Sequence, residues 1–377
     1  MRKILFVATV VRLHINVFHL PCIRWFHDQG WKVYVAARND FENPEDCLIP
    51  YCDHYYDIPF ERNPWKIGNI KGFRKLQNLI EKEHFELVYC HTPVGAMLSR
   101  IANAPFRKKG TKCIYMAHGF HFYSGAPLLN WLIYYPVERF LSRFTDGLIT
   151  INQEDYRRAQ KFHAIKTVLI PGVGIDLGRF QGEGQAKQEL RKRLSISEEQ
   201  FVLMSVGELS ERKNHMVVIK ALARLKEYDI LYLICGDGPL QEQLQAEAEK
   251  LGIGNRVRLL GFRQDISELL AAADVFVFPS LQEGLPVAMM EAMASELPIV
   301  ASEIRGNKDL LQNNQGGYLV KAREPGQFAE AVVKMMQTPG KRDEMGKHNI
   351  EVIKNYSQEA VLQKMKKFFN EVVGGLC

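Results

Sequence analysis

The sequence predicts an α/β fold made of two Rossmann-like domains, each a doubly wound parallel sheet covered by helices. Short apolar runs alternate with helical patterns, and these runs form two series separated by a connector rich in glycine and charge, residues 174–200. The 377-residue chain is also too long for a typical single core. We expect the two sheets to face a cleft at the carboxyl ends of their strands.

Each series contains six predicted strands. Those of the first series are ILFVATV (4–10), VYVAA (33–37), LVYC (87–90), CIYMA (113–117), GLITI (147–151) and TVLIP (167–171). Those of the second are FVLMSVG (201–207), LYLICG (231–236), RVRLLG (256–261), VFVFP (275–279), PIVAS (298–302) and GYLV (317–320). The resulting domains span residues 1–175 and 176–355, and we expect a final helix within 356–377 to pack back on the first domain.

Composition limits the class of protein. Apolar content of 46% and charged content of 24% are typical of a soluble globular protein, and no apolar run reaches 18 residues, so no spanning helix is predicted. Seven scattered cysteines without a C-x-x-C pair indicate reduced thiols in a cytoplasmic protein and argue against a metal cluster. A net charge of +6 favours anionic partners, while the lack of a nucleic-acid-binding motif argues against nucleic acid.

The segment 279–300, PSLQEGLPVAMMEAMASELPIV, has the strongest functional signal. Pro286 suits the first turn of a helix running from about residue 286 to 295. Free amides at the helix start, near Gly284 and Leu285, could bind phosphate beside Glu283, while Glu291 could accept hydrogen bonds from hydroxyls. The pattern predicts a nucleotide-sugar site. An ordinary amphipathic helix with a solvated glutamate at each end is the alternative.

Several motifs together resemble one enzyme family. The segments VGELSERKNH, GDGPLQEQL, LLGF, DVFVFPS, EGLPVAMMEAMA and PIVASEIRG resemble the donor domain of family 4 retaining glycosyltransferases of the GT-B fold. HGFHFYSGAP further resembles the subgroup that builds bacterial exopolysaccharide, capsule and glycan precursors on a polyprenyl diphosphate. This resemblance implies two Rossmann-like domains and a reaction that needs no cofactor and no divalent metal.

The resemblance also assigns donor-side roles. It implies that Lys213 stabilises the departing diphosphate, that Glu291 holds the donor ribose and that Glu283 holds the transferred sugar. Glu208 stands where the family usually has arginine, and Arg212 is expected to compensate. Further donor contacts are expected from Gly207, Gly236, Gly238, Phe262, Arg263, Gly284 and Leu285.

The first domain is expected to supply His118, which ends the strand 113–117 and by resemblance hydrogen-bonds the transferred sugar. A buried structural histidine is the alternative. His121 completes an H-x-x-H pair, but Gly119 and the strand end argue against a zinc helix, so no metal ligand is predicted.

The loop 9–18 lacks the family's Gly-Gly pair. Arg12, His14 and Asn16, together with His121, are therefore the expected acceptor-side residues. A polar surface loop is the alternative for this segment.

Two segments could contact a membrane. The basic stretch 104–112 and the apolar, aromatic stretch 128–144 suit an anionic headgroup layer, although a core helix explains the second stretch equally well. The expected location is cytoplasmic and peripheral to the cytoplasmic face of the membrane.

The predicted function is a retaining glycosyltransferase that moves a sugar from a nucleotide-diphosphate donor to an undecaprenyl-diphosphate-linked saccharide. An N-acetylhexosamine carried on UDP is expected from the subgroup resemblance alone. Three alternatives stay open: the same enzyme type with a soluble acceptor, a nucleotide-sugar epimerase of related fold, and a non-catalytic partner in a polysaccharide assembly complex.

Overall fold

The computed structural model describes residues 1–180 and 187–375. Residues 181–186 of the predicted connector, and residues 376–377, which include Cys377, lie outside the described residues. The chain divides into two compact units, which are described separately. Unit 1 comprises Met1–Gly174 and the chain from Gln358 onward, and unit 2 comprises Ile175–Ser357.

Unit 1 contains a seven-stranded parallel sheet in the order β3-β2-β1-β4-β5-β6-β7. Its strands are β1 (Lys3–Val10), β2 (Lys32–Arg38), β3 (His54–Asp57), β4 (Leu87–His91), β5 (Lys112–Ala117), β6 (Gly147–Thr150) and β7 (Lys166–Leu169). The six strands predicted for this half are confirmed. The edge strand β3 was missed because its sequence, HYYD, has no apolar run, and its residues are only partly buried.

The helices of unit 1 cover both faces of this sheet. They are a π-helical segment (Val11–Ile15), the α-helices Asn16–Phe18, Leu20–Asp28, Gly68–Glu83, Pro93–Arg107, Leu128–Leu141, Gln153–Ala159 and Gln358–Val373, and the 3₁₀ turns Pro44–Asp46 and Ser142–Phe144. The last helix packs on the unit through Phe369, whose ring lies 5.1 Å from those of Phe26 and Tyr89. The ring of Phe368 packs directly on Gly147, so a Cβ atom on residue 147 would lie only 2.9 Å from that ring.

Unit 2 contains a six-stranded parallel sheet in the order β10-β9-β8-β11-β12-β13. Its strands are β8 (Phe201–Val206), β9 (Ile230–Cys235), β10 (Val257–Leu259), β11 (Val275–Phe278), β12 (Ile299–Ser302) and β13 (Gly317–Val320). All six predicted strands are confirmed. Counted within the unit, the order is 3-2-1-4-5-6, which is the doubly wound arrangement of the Rossmann fold and places a crevice at the carboxyl ends of β8 and β11.

The helices of unit 2 connect these strands. They are the α-helices Lys187–Arg193, His215–Leu222, Gln241–Lys250, Ile266–Ala271, Val287–Ala294, Asn307–Leu310, Pro325–Gln337 and Pro339–Ile353, with 3₁₀ turns at Leu177–Arg179, Gly254–Arg256 and Lys354–Tyr356. The helix predicted for residues 286–295 is one residue shorter at each end. Pro286 is its N-cap, in an extended conformation, and does not belong to the first turn.

Each unit has its own apolar core. In both units the strand side chains form it together with the inner faces of the covering helices. Across the described residues, no helix combines the length and the apolar character needed to cross a bilayer.

Candidate active site

Three loops of unit 2 close against one another at the carboxyl ends of β8, β9 and β10. The Gly236 amide donates to the Gly261 carbonyl at 2.8 Å. A Cβ atom on Gly236 would lie 2.1 Å from the Gly207 carbonyl oxygen, and the φ of Gly236 is +142°. Only glycine permits this approach. The loops after β8 and β9 are thereby held in contact, at the edge where the predicted donor glycines lie.

The loops after β11 and β12 meet in the same way. Gly306 has a φ of +78°, and a Cβ atom there would lie 2.6 Å from the Gly284 carbonyl oxygen. The Arg305 Nε donates to the Glu283 carbonyl at 3.2 Å. Sequence reasoning gave neither Arg305 nor Gly306 a role. The sequence did contain one signal for them, because both residues follow shortly after the strand β12. They therefore lie at the carboxyl edge of the sheet, where the other candidate residues lie.

Glu283 lies at the centre of a compact charge cluster. The Lys213 Nζ is 2.8 Å and the Arg212 Nη1 is 3.1 Å from the same oxygen, Glu283 Oε1. The ammonium of Lys213 also lies 5.0 Å from the centre of the Phe278 ring. A backbone hydrogen bond of 2.8 Å from Leu281 to Arg212 holds the two loops together. Two cations share one carboxylate, so the cluster has a net positive charge available to an anionic ligand.

The start of the helix Val287–Ala294 adds backbone donors to this cluster. Pro286 has no N–H, and the amides of Gly284, Leu285 and Val287 donate to no acceptor among the described residues. Unpaired amides at a helix start form a suitable site for phosphate. The amides named from the sequence are therefore available for a ligand.

Glu291 is the fifth residue of the same helix, and its side chain is half-buried. Burial raises the pKa of its carboxyl group, and Arg179 opposes this shift. The Glu291 carboxylate has no hydrogen-bond partner among the described residues of the chain. It is thus able to accept hydrogen bonds from neutral hydroxyls, and Arg179 is a neighbour that sequence reasoning did not identify.

The remaining donor-side residues are more exposed. The Phe262 ring, which follows β10, is 72% exposed. The Arg263 Nε donates to the Asp265 carboxylate at 2.8 Å, so a ligand would have to compete with that ion pair. Glu208, at the position where the family usually has arginine, is exposed and takes no part in the charge cluster.

In unit 1, His118 belongs to a group of four imidazoles, of which His19 and His91 are buried and His14 and His118 half-buried. Its ring centre lies 4.9 Å from that of His14 and 5.7 Å from that of His91. Burial lowers the pKa of His118 to about 4. The structure therefore brings together two residues that the sequence assigned to different roles, His118 to the sugar and His14 to the acceptor. It adds His19 and His91, which were not predicted.

The other acceptor-side candidates are placed differently. The backbone amide of Arg12 donates to Asp40, and the side-chain amide of Asn16 donates to the Leu48 carbonyl at 3.0 Å. The ring of His121 stacks on Tyr134 at 4.6 Å between ring centres. His121 is not one of the four histidines that converge around His118.

The helix Leu128–Leu141 has apolar side chains on both faces. Trp131 lies on the inner face, where it packs on Phe122 at 5.8 Å and beneath the guanidinium of Arg158 at 4.9 Å. The outer face exposes six large apolar side chains. These are Leu128, Leu129, Leu132, Ile133, Val137 and Phe140. Within the predicted membrane-contacting stretch 128–144, the aromatic side chains of Trp131 and Tyr134 therefore pack toward the unit, and aliphatic side chains form most of the exposed face.

Comparisons with known proteins agree with this fold. Residues 186–352 match the family model "Glycosyl transferases group 1", and residues 3–152 match "Glycosyl transferase 4-like". The chain is 37% identical to EpsD of Bacillus subtilis (strain 168), which carries the name of a glycosyltransferase, over 98% of this chain and 96% of that protein. The chain therefore belongs to the family 4 glycosyltransferases and has the GT-B fold.

Two further relatives are named as glycosyltransferases, and one solved structure shares the fold. A UDP-Gal:alpha-D-GlcNAc-diphosphoundecaprenol alpha-1,3-galactosyltransferase of Escherichia coli is 32% identical, over 73% of this chain and 72% of that protein. An N,N'-diacetylbacillosaminyl-diphospho-undecaprenol alpha-1,3-N-acetylgalactosaminyltransferase of Campylobacter jejuni is 24% identical, over 94% of this chain and 95% of that protein. The crystal structure of Anabaena HepE with UDP and glucose matches with a TM-score of 0.82 at 20% identity, covering 98% of this chain and all of that one.

Proposed function

We propose that this protein transfers a sugar from a UDP-sugar to a saccharide linked to a polyprenyl diphosphate, with retention of the anomeric configuration. The observation that carries the proposal is the cluster of Lys213, Arg212 and Glu283 beside free amides at the start of the helix Val287–Ala294. Two relatives support the acceptor class, because their names specify diphospho-undecaprenol acceptors. One of them transfers N-acetylgalactosamine, which supports an N-acetylhexosamine as the transferred sugar.

The chemistry of the departing diphosphate follows from the cluster. As the bond from the anomeric carbon to the phosphate oxygen breaks, negative charge grows on that oxygen. The ammonium of Lys213, the guanidinium of Arg212 and the amide dipoles stabilise this charge, so no divalent ion is required at the diphosphate. The acceptor hydroxyl attacks the same face of the sugar, and its proton passes to the departing phosphate oxygen.

The sugar and ribose contacts follow from the same residues. Glu291 accepts hydrogen bonds from ribose hydroxyls, since no described residue of the chain donates a hydrogen bond to its carboxylate. Glu283 contacts the transferred sugar while it remains paired with Lys213. The family resemblance assigns His118 to the same sugar. With a lowered pKa its imidazole is neutral at pH 7 and adds no positive charge there.

The decisive experiment assays the purified full-length protein with a panel of nucleotide sugars. We expect thermal stabilisation by UDP and one UDP-sugar, followed by transfer of that sugar to a saccharide on undecaprenyl diphosphate with an unchanged anomeric configuration by NMR. After dialysis against chelator, added Mg²⁺ or Mn²⁺ should leave the rate unchanged. Equal transfer to a lipid-free acceptor would instead indicate a soluble acceptor, and isomerisation of the donor alone would indicate an epimerase.

Membrane contact through the outer face of the helix Leu128–Leu141 is part of the proposal. Leu128 and Leu132 are 73% and 66% exposed. Two exposed cations lie near the end of this helix, Arg139 in its last turn and Arg143 in the 3₁₀ turn that follows. The neighbouring Lys108 and Lys109 are exposed as well, whereas Arg107 pairs with Asp146 at 2.9 Å. An apolar face bordered by cations suits an anionic headgroup layer.

Vesicle flotation tests this surface. Replacing Leu132 and Ile133 by serine should weaken binding to anionic vesicles by roughly tenfold or more, because each lost aliphatic side chain removes about 1.5–3 kcal/mol of burial free energy. Ile165→Ser, an equally exposed apolar residue elsewhere in unit 1, is the matched control and should bind normally. A wild-type protein that fails to float with anionic vesicles would rule out the membrane contact.

A further inference from the structure

Four histidines from three separate segments of unit 1 converge at the carboxyl edge of its sheet. His14 and His19 follow β1, His91 is the last residue of β4, and His118 comes directly after β5. These three strands are neighbours in the sheet order. Because the carboxyl ends of parallel strands meet at one edge, residues far apart in sequence are brought together there.

The four rings are close enough to share one ion. Their centres lie between 3.7 Å apart, for His19 and His91, and 5.9 Å apart, for His14 and His91. One nitrogen can be chosen from each ring so that all four lie within 4.8 Å of one another. Nitrogens bound tetrahedrally to Zn²⁺ at about 2.0–2.1 Å are roughly 3.3 Å apart, so the widest pairs must approach by about 1.5 Å. The Nε2 atoms of His14 and His19 are already 3.2 Å apart.

The cluster contains polar atoms without partners. Both ring nitrogens of His91, the Nδ1 of His19 and the Nε2 of His118 are buried and make no hydrogen bond to any described residue. His19 and His91 are fully buried. Each such nitrogen costs about 1–3 kcal/mol when it is left unsatisfied. A metal ion binds one nitrogen of each ring, so coordination would satisfy at most one of these nitrogens on each of the three histidines.

The cluster is in the protonation state that metal binding needs. Burial lowers the pKa of His14, His19 and His91 well below the ordinary value, and that of His118 to about 4. Neutral imidazole is the form that binds metal. The four ligands are all imidazoles, a donor set that suits Zn²⁺, Cu²⁺, Ni²⁺ or Fe²⁺ and not the oxygen-seeking Mg²⁺ or Ca²⁺.

We propose that His14, His19, His91 and His118 form a binding site for one transition-metal ion, with Zn²⁺ as the best match. The site goes beyond the glycosyl transfer proposed above and does not depend on it. A bound ion would join the π-helical segment Val11–Ile15 to the ends of β4 and β5. His118 has two ring nitrogens, so one can bind the ion while the other is left for a sugar hydroxyl.

The test uses the full-length protein treated with chelator and then titrated with Zn²⁺ alone or Co²⁺ alone. We expect one Zn²⁺ per chain by elemental analysis, a higher melting temperature after loading, and the intense visible bands of tetrahedral Co²⁺. Neither donor nor acceptor is present, so a failure here is distinct from a failure of the transfer assay. A wild-type protein that binds neither ion would overturn the proposal.

Variants locate the ion. His14→Gln and His19→Gln should each weaken Zn²⁺ binding by at least the roughly 10–100-fold that outer-shell changes cost at metal sites. His27→Gln is the control, because His27 is exposed on the helix that directly follows His19. His14 is only half-buried, so its variant keeps the test valid if His19→Gln fails to fold. Equal losses in His14→Gln and His27→Gln, or no loss in either cluster variant, would refute the assignment.

Discussion

The charged cluster of unit 2 and the histidine cluster of unit 1 differ in whether their polar side chains have partners within the protein. In unit 2, Lys213 and Arg212 already share the Glu283 carboxylate, so each charge has a partner before any ligand arrives. In unit 1, His19 and His91 are neutral and buried, and three of their four ring nitrogens have no partner among the described residues. The charged cluster is ready to exchange partners with an anion. The imidazole cluster is instead incomplete without a ligand.

The largest effect that tests this comparison is expected from Lys213→Ala. If the charged cluster serves the departing diphosphate, turnover should fall by roughly 100–1,000-fold, as it does when one charge-stabilising donor is removed elsewhere. The melting temperature should change little, because Arg212 still pairs with Glu283. Steady-state kinetics and thermal unfolding measure the two effects, with the exposed Lys220→Ala as control. Turnover close to that of the wild type would remove Lys213 from the mechanism.

A smaller effect is expected from Glu291→Gln. The carboxylate offers two strong acceptors to ribose hydroxyls, and hydrogen bonds to a charged group contribute about 1.5–3 kcal/mol, which corresponds to roughly 10–100-fold in affinity. Calorimetric titration with UDP should show this loss. Glu303→Gln, an exposed carboxylate after β12, should bind UDP normally. If both variants bind UDP equally well, Glu291 does not hold the nucleotide.

The smallest effect concerns acid stability of the chelator-treated protein. The pKa of His118 is about 4 in the folded chain and near 6.5 in the unfolded chain. Burial also lowers the pKa of His19 well below its ordinary value. The unfolded state therefore binds more protons between these pH values. The contribution of these histidines to the free energy of unfolding is fully present above pH 6.5. It is lost as the pH falls, by up to about 1.4 kcal/mol per pH unit for each such histidine.

Melting temperatures between pH 7.5 and pH 5 measure this slope. His19→Gln should show a shallower decline than the wild type, and His27→Gln should follow the wild type. Parallel curves for all three proteins would mean that the buried imidazoles do not control acid stability. Burial, His118 and Arg62 lower the pKa of His14, which adds to the wild-type slope.

Sequence reasoning predicted unit 2 more fully than unit 1. In unit 2 the candidate residues follow strands and open a helix, so their positions can be read from local patterns such as the Pro286 helix start. It did not anticipate the ion pair between Lys213 and Glu283, because these residues lie on loops that meet only when β8 and β11 pair. The same reason explains why Arg305 and Arg179 were missed.

In unit 1 the closely spaced ligand motif in the sequence is the H-x-x-H pair of His118 and His121. The prediction of no metal site remains untested, and the histidine cluster argues against it. His91 and His19 gave no sequence signal, because each is a single histidine in an apolar surrounding. The orientation of Leu128–Leu141 was equally undetermined, since a helix that is apolar on both faces has no periodicity to show which face is buried.

By itself, the sequence determined the two parallel sheets, the alternation of strands and helices along the chain apart from the edge strand β3, and the helix start between Glu283 and Glu291. These features depend on apolar periodicity and on turn residues, which act over a few neighbouring positions. Only the tertiary structure decided which side chains meet: the two cations on Glu283, the exposed face of Leu128–Leu141 and the four imidazoles. Contacts between distant segments depend on strand order and loop closure, and neither is encoded in local spacing.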